Sequence, residues 1–135
     1  MKTRIKILLF IGITLCVLQT NAQVSFSCIY REYCEYNEYT EKFKTDCNGF
    51  EDVSLFVMNE SETLFTHTTE EGKSTYYVTK KEYDTENDIY TYNAKSDVGN
   101  DYYFIFDLNN KEVKAVYMDD KEKTILLRFY VKAIF

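Results

Sequence analysis

The chain has 135 residues with a formal charge of −6, no proline and no tryptophan, and 13 tyrosines beside 10 phenylalanines. A length of this order makes one domain that can bury its own core. The acidic balance repels nucleic-acid phosphates and anionic lipid heads, so neither is expected as a partner.

Lys2, Arg4 and Lys6 precede an apolar run from Ile7 to Leu18, and Thr20-Asn21-Ala22 closes on a small residue. That order reads as a secretory signal peptide over residues 1–22, with cleavage before Gln23. The run is short for a membrane span of about 20 residues. Leu15, preceding Cys16, is too bulky for a lipoprotein cleavage box. Residues 23–135 are then expected as a single secreted or periplasmic domain, whose formal charge moves from −6 to −9 with the loss of the three basic residues.

In the mature chain, Tyr30, Tyr33, Tyr36 and Tyr39 recur every three residues, a spacing that drifts around a helix and finds no capping residue. The alternation instead places Phe26, Cys28, Tyr30, Glu32, Cys34 and Tyr36 on one side of a strand. The chain turns through Asn37 to Thr40 and returns through Lys42 to Cys47. Asn48-Gly49 reads as a turn. Val53 to Met58 is apolar on both faces and so central. Strands follow at Thr63–Thr69, Ser74–Lys80 and Ile89–Lys95, separated by polar clusters.

From Asp101 onward the pattern is sharpest. Tyr102, Phe104, Phe106 and Leu108 share one face, and Val113, Ala115 and Tyr117 return opposite them. Of two registers, the one setting Asp107 against Lys114 is preferred to the one opposing it to Glu112, since opposite charges attract across a strand pair. Ile125, Leu127, Phe129, Val131, Ala133 and Phe135 then alternate with residues that include Arg128 and Lys132, which predicts a long strand with one wholly buried face. No helix is available for a crossover, so the fold class is all-β. It is expected as an antiparallel meander of about eight or nine strands closing into a small barrel, with a β-sandwich as the alternative.

The mature cysteines are Cys28, Cys34 and Cys47. Secretion favours a disulfide. Two cysteines six residues apart on one strand lie about 20 Å from each other and do not bridge. Across the proposed hairpin Cys28 approaches Cys47, which predicts a Cys28–Cys47 bond and leaves Cys34 free. No C-x-x-C pair supports a metal site, and Asp84 to Asp88 lacks the glycine and glutamate of a calcium loop, so no metal or other cofactor is expected. Asn59-Glu60-Ser61 is a glycosylation sequon. No nucleophile elbow, phosphate loop or paired catalytic carboxylate stands out, so the expectation is a protein that is not an enzyme.

The order of features is a tyrosine-rich hairpin, then SLFVMNE and TLFTHTT, STYYV, SDVGNDYYFIFDLNNKEVKAV, and an aromatic terminal strand. It resembles small secreted bacterial all-β proteins that are uncharacterised as a group. At fold level the meander is similar to lipocalin-like barrels, without the tryptophan of their Gly-x-Trp motif. The first functional expectation is a secreted barrel-like module binding a small apolar ligand through Tyr102, Phe104, Phe106, Phe129 and Val131, residues that equally suit a filled core. Its alternative is a protein-interaction or inhibitor module acting through Tyr30, Tyr33, Tyr36 and Tyr39. A third reading, a small outer-membrane barrel, meets strands mostly shorter than the roughly 9 to 11 residues a bilayer requires, so stable membrane insertion is not expected.

Overall fold

A computed structural model describes residues 23–135; the proposed signal peptide lies outside them. Nine strands follow in chain order: β1 (Val24–Asn37), β2 (Lys42–Phe43), β3 (Asn48–Met58), β4 (Leu64–Thr69), β5 (Gly72–Asp84), β6 (Ile89–Ser96), β7 (Asp101–Asp107), β8 (Glu112–Met118) and β9 (Thr124–Ile134). Each of β3 to β8 pairs antiparallel with the next, and β1 pairs with both β3 and β9. The result is an eight-stranded closed barrel rather than a sandwich, with β2 an added ribbon on the far end of β1.

The inward face of β3 runs unbroken through Ser54, Phe56 and Met58, while Val53 on the other face is 65% exposed. Strand β1 behaves differently. Phe26 pairs with Phe56 and Cys28 with Ser54, all buried. A bulge between Cys28 and Tyr30 then shifts the register on both neighbours. Beyond it Arg31 sits opposite the buried Phe129, and Tyr33 opposite Leu127. The inward phase has passed from even to odd numbers, because a shift of one residue exchanges the two faces; the extra residue is Ile29 against β9 and lies on β3 in the β1–β3 pair. Tyr30, Glu32, Cys34 and Tyr36 therefore share a side, as expected, but not the side of Phe26 and Cys28.

This shift corrects the cysteine assignment. Asn48-Gly49 is not a turn but the start of β3, and Tyr33 pairs with Asn48. The adjacent residues Cys34 and Cys47 then face each other, with Cα atoms 4.7 Å apart, and form the disulfide. Cys28 sits inside the barrel opposite Ser54, out of reach, as a buried free thiol. The strand glycine has its own reason: the Tyr30 ring lies over Gly49, where a Cβ would collide with it.

Two further readings change. Asp107 pairs with Glu112, not Lys114. Its carboxylate is occupied within the turn, accepting from the Asn110 backbone N–H at 3.0 Å and from Asn110 Nδ2 at 2.9 Å. Glu112 is in turn compensated by Lys114 at 3.5 Å. On β9, Ile125, Phe129 and Val131 are buried, but Ala133 and Phe135 are exposed. The pairing of β9 with β8 stops at Tyr130, so the last residues lean on β1 alone. Leu126, on the opposite face, is buried where it sits between Cys34 and Val116.

Two outcomes follow from these placements. Non-reducing peptide mapping of the oxidised protein should recover Cys34 joined to Cys47. Cys28 should resist alkylation until the barrel unfolds, because burial pushes its thiol up to about 12. Phe129→Ala, at a side chain only 2% exposed, should cost about 3 to 5 kcal/mol in denaturant melts. Lys132→Ala on the exposed side should stay within about 0.5 kcal/mol. Equal losses for the two would place the β9 register elsewhere.

Candidate functional site

The barrel interior is divided by its own aromatic side chains. Phe56, Phe65, Phe104, Phe106 and Phe129 are all buried at mid-height. Phe56 makes edge contacts with Phe104, Phe106 and Phe129, with ring centroids 6.3, 5.8 and 5.1 Å away. Phe65 closes the group against Phe104 at 4.8 Å and Phe106 at 5.5 Å. Edge-to-face packing of this kind matches the positive ring edge to the negative ring face. The plug leaves a cavity of about 220 Å³ at each mouth.

The first mouth lies at the end where β1 begins and is bordered by the β3–β4, β5–β6 and β7–β8 loops. Val24, Phe26, Met58, Tyr90, Tyr92, Phe106 and Leu108 line it, with Asn59, Glu60 and Glu62 on one side. Tyr92 Oη donates to Glu62 Oε1 at 2.8 Å, and Lys81 Nζ lies 3.1 Å from the other Glu62 oxygen. A bulge between Val78 and Lys80 puts Lys81 in register with the buried Tyr92. The Asn59 side chain winds its loop tightly, accepting from the backbone of Thr63 and Leu64. Its Nδ2 donates to the hydroxyls of Ser61 and Thr63, the group a glycan would need.

The second mouth is bordered by the β4–β5, β6–β7 and β8–β9 loops. Its floor is Phe56, Phe104 and Phe129; Tyr76, Tyr102 and Tyr117 stand around it, with Arg31, His67, Thr69 and Ser74 as the polar part. His67, the single histidine, stacks on Phe56 at 4.0 Å with the planes 6° apart, and meets the edge of Phe129 at 5.0 Å. Its Nε2 is buried and has no hydrogen-bond partner among the described residues. Arg31 faces inward because of the β1 bulge, lies over the Phe50 ring at 4.8 Å, and pairs through Nε with Asp52 Oδ2 at 3.3 Å. That contact is an ion pair without hydrogen-bond alignment, and Asp52 Oδ2 has no donor. Ser54 Oγ, opposite the Cys28 thiol, has no well-formed hydrogen bond among the described residues either. Asp52, Ser54 and His67 thus form a line of unsatisfied groups on the inner faces of β3 and β4. Among the described residues no hydrogen bond joins them.

The residues expected at a ligand site are brought together, and mostly in the plug. Phe104 and Phe106 are in contact at 6.2 Å, and Tyr102 stacks on Phe104 at 5.8 Å. Phe106 floors the first mouth, whereas Tyr102, Phe104 and Phe129 line the second; Val131 lines neither. The four tyrosines expected as a contact strip do not form one. Tyr30 rests on Tyr130, Tyr36 on Phe43, Tyr33 has the opposite phase, and only Tyr39 is fully exposed. Arg31 was not singled out by sequence, where only a cation on a tyrosine-rich strand hinted at it, and the lone His67 on its threonine-rich strand reads there as an ordinary half-exposed side chain. Glu32 lies within ligand-atom reach of Cys34 and Cys47, but the two sulfurs are bonded to each other and offer no thiolate.

Comparison of the chain with protein-family models, with curated proteins and with solved structures finds no match.

Burial, reinforced by the Arg31 charge, lowers the pKa of His67 to about 4 from an ordinary 6.5. Between those values the unfolded chain binds a proton that the folded barrel refuses, so stability falls as pH drops from 6.5 toward 4, by at most roughly 3 kcal/mol. In His67→Phe, which keeps the stack on Phe56, urea melts at pH 7 and pH 4.5 should differ less than in the parent chain. An identical difference in both proteins would show that His67 titrates normally.

Proposed function

We propose that the protein is a non-catalytic small-molecule-binding barrel of an oxidising compartment, taking an apolar ligand in the first mouth. The disulfide supports the compartment, since such bonds persist outside the reducing cytosol. One observation carries the ligand reading: seven apolar or aromatic side chains line an open cavity of about 220 Å³ at a barrel end, and its polar groups come from one loop. Cavities of that make-up, with a few polar groups fixing orientation, are the usual form of small-ligand sites. The volume suits one or two fused rings, because an apolar cavity of about 150 Å³ accepts benzene.

The outer surface argues against the lipid-facing alternative. Glu32, Arg128 and Lys114 succeed one another across β1, β9 and β8 on the outside, and Lys95 pairs with Asp101 across β6 and β7 at 3.4 Å. A membrane barrel turns apolar residues outward and polar ones inward. Here the aromatic residues fill the inside.

Naphthalene is a suitable probe, because its emission is distinct from tyrosine and the chain has no tryptophan. A fluorescence titration should saturate at one site. Leu108→Arg, at a half-buried loop position on the cavity wall, should weaken binding by about tenfold or more. Unsaturable binding, or an unchanged affinity in the variant, would reject this site.

A further inference from the structure

We propose that the second mouth is a separate site for a small aromatic carboxylate, its ring seated on the plug and its carboxylate held by Arg31 with His67 Nε2 as a second donor. This does not rest on the apolar reading of the first mouth, because the plug separates the two cavities.

The first ground is an unpaired polar atom. A buried nitrogen without a partner costs about 1 to 3 kcal/mol of desolvation, so native proteins seldom keep one unless a water or ligand completes it. His67 Nε2 is such an atom, in a side chain that lines the cavity. Histidine is neutral at pH 7 here, so its Nε2–H tautomer can donate to a carboxylate without a competing charge transfer.

The second ground is the placement of Arg31. It is the one Lys or Arg among the residues lining this cavity, in a chain of formal charge −6. Asp52 holds the guanidinium from its Nε side and Phe50 supports its face. Among the described residues the polar contact of Arg31 is the unaligned one from Nε to Asp52, which leaves the bidentate edge that suits a planar carboxylate unspent. Phe129 connects the two groups: it sits opposite Arg31 across β1 and β9 and meets the His67 ring at its edge.

The third ground is shape. Tyr76, Tyr102 and Tyr117 wall a space of about 220 Å³ above Phe56 and Phe104, room for a single substituted ring by comparison with the roughly 150 Å³ that holds benzene. Other charges face this end. Asp97 and Asp119 act on the tyrosines of the rim, raising Tyr102 and Tyr117 behind the larger effect of burial. They disfavour a multiply charged anion and leave a monocarboxylate as the better fit.

The test uses 4-hydroxybenzoate, its amide 4-hydroxybenzamide, and acetate, titrated into the oxidised barrel at pH 7. The single histidine gives one set of imidazole NMR signals, which report the site directly. The acid should shift them saturably, the amide should bind at least about tenfold more weakly, and acetate should leave them in place. Arg31→Gln should reduce acid affinity by about tenfold or more while naphthalene binding at the first mouth persists. Since Arg31→Gln also strands Asp52, Arg31→Lys serves beside it: it keeps the charge, loses the bidentate edge and should fall between the two. For these variants the backbone spectrum must retain the dispersion of a folded barrel; if Gln unfolds the chain, Lys decides, together with His67→Phe, whose acid affinity is read from backbone amide shifts and should fall. Equal binding of acid and amide, or His67 signals indifferent to the acid, would overturn the proposal. So would a folded Arg31→Gln with parent affinity. Loss of naphthalene binding alone would reject the first mouth and leave this one standing.

Discussion

The bulge at Cys28–Tyr30 is the constraint on which the rest of the barrel depends. With a regular β1, Phe26 facing inward would commit Tyr30, Glu32 and Cys34 to the core as well. A carboxylate and a disulfide would then compete with Phe129 and Leu127 for the same space. Between Cys28 and Tyr30 the strand holds Ile29, where β9 has no residue and β3 has two, and the phase of β1 reverses. Glu32 emerges on the outer surface, where its carboxylate lies 3.1 Å from Arg128 Nη1 and accepts from Tyr130 Oη at 3.1 Å. Cys34 emerges beside Leu126 and is joined to Cys47, while Arg31 goes inward to Asp52 and the second mouth. The same residue count that makes the disulfide reachable supplies the cation of the cavity.

Closure adds a second constraint, because a barrel of this size has little interior to spare. Eight strands enclose a space that side chains nearly fill, and five phenylalanines fill its middle. What remains is set by where the large residues stop. Toward the first mouth the plug ends on Phe106, beneath Met58 and Leu108. At the other end it yields to histidine, serine and threonine: His67 pairs with Ser74, and Thr69 lies two positions further along β4. The two mouths differ chemically because the inner faces of β3 and β4 change from apolar to polar along their length.

Much of this fold was readable from the sequence. From β3 to β9 the alternation has period two and the turns carry Asn, Asp, Gly or Glu clusters, so strand existence, antiparallel order and the filled aromatic interior follow from sterics and burial. The bulges were not readable. Neither Ile29 nor Thr79 carries the glycine that often marks such a position, and both strands continue with plausible alternation on either side. The disulfide was lost with the first bulge and with Asn48-Gly49, a dipeptide that suits a tight turn but here opens a strand beneath Tyr30. The Asp107 register failed for a different reason: a side chain capping its own turn is no longer free to choose a partner across the strands. Arg31 and His67 come within one cavity only through closure of the barrel, a relation that no local window contains.

The outer charges address what hydrophobic alternation cannot. Burial of one face forbids a slip of one residue, but a slip of two returns every apolar side chain to the same face. Where β1 closes on β9, register therefore needs a signal of longer repeat. Glu32 sits opposite Arg128, and Arg128 opposite Lys114, a like-charge contact that Glu112 relieves from 3.9 Å and 3.5 Å respectively. Each such half-exposed pair is worth only about 0 to 1 kcal/mol, too little to hold a barrel shut. A two-residue slip, however, would set Glu32 against Leu126 or Tyr130 and strand both cations together without their bridging carboxylates. The pairs contribute little to how strongly the barrel closes, and much to which register closes it.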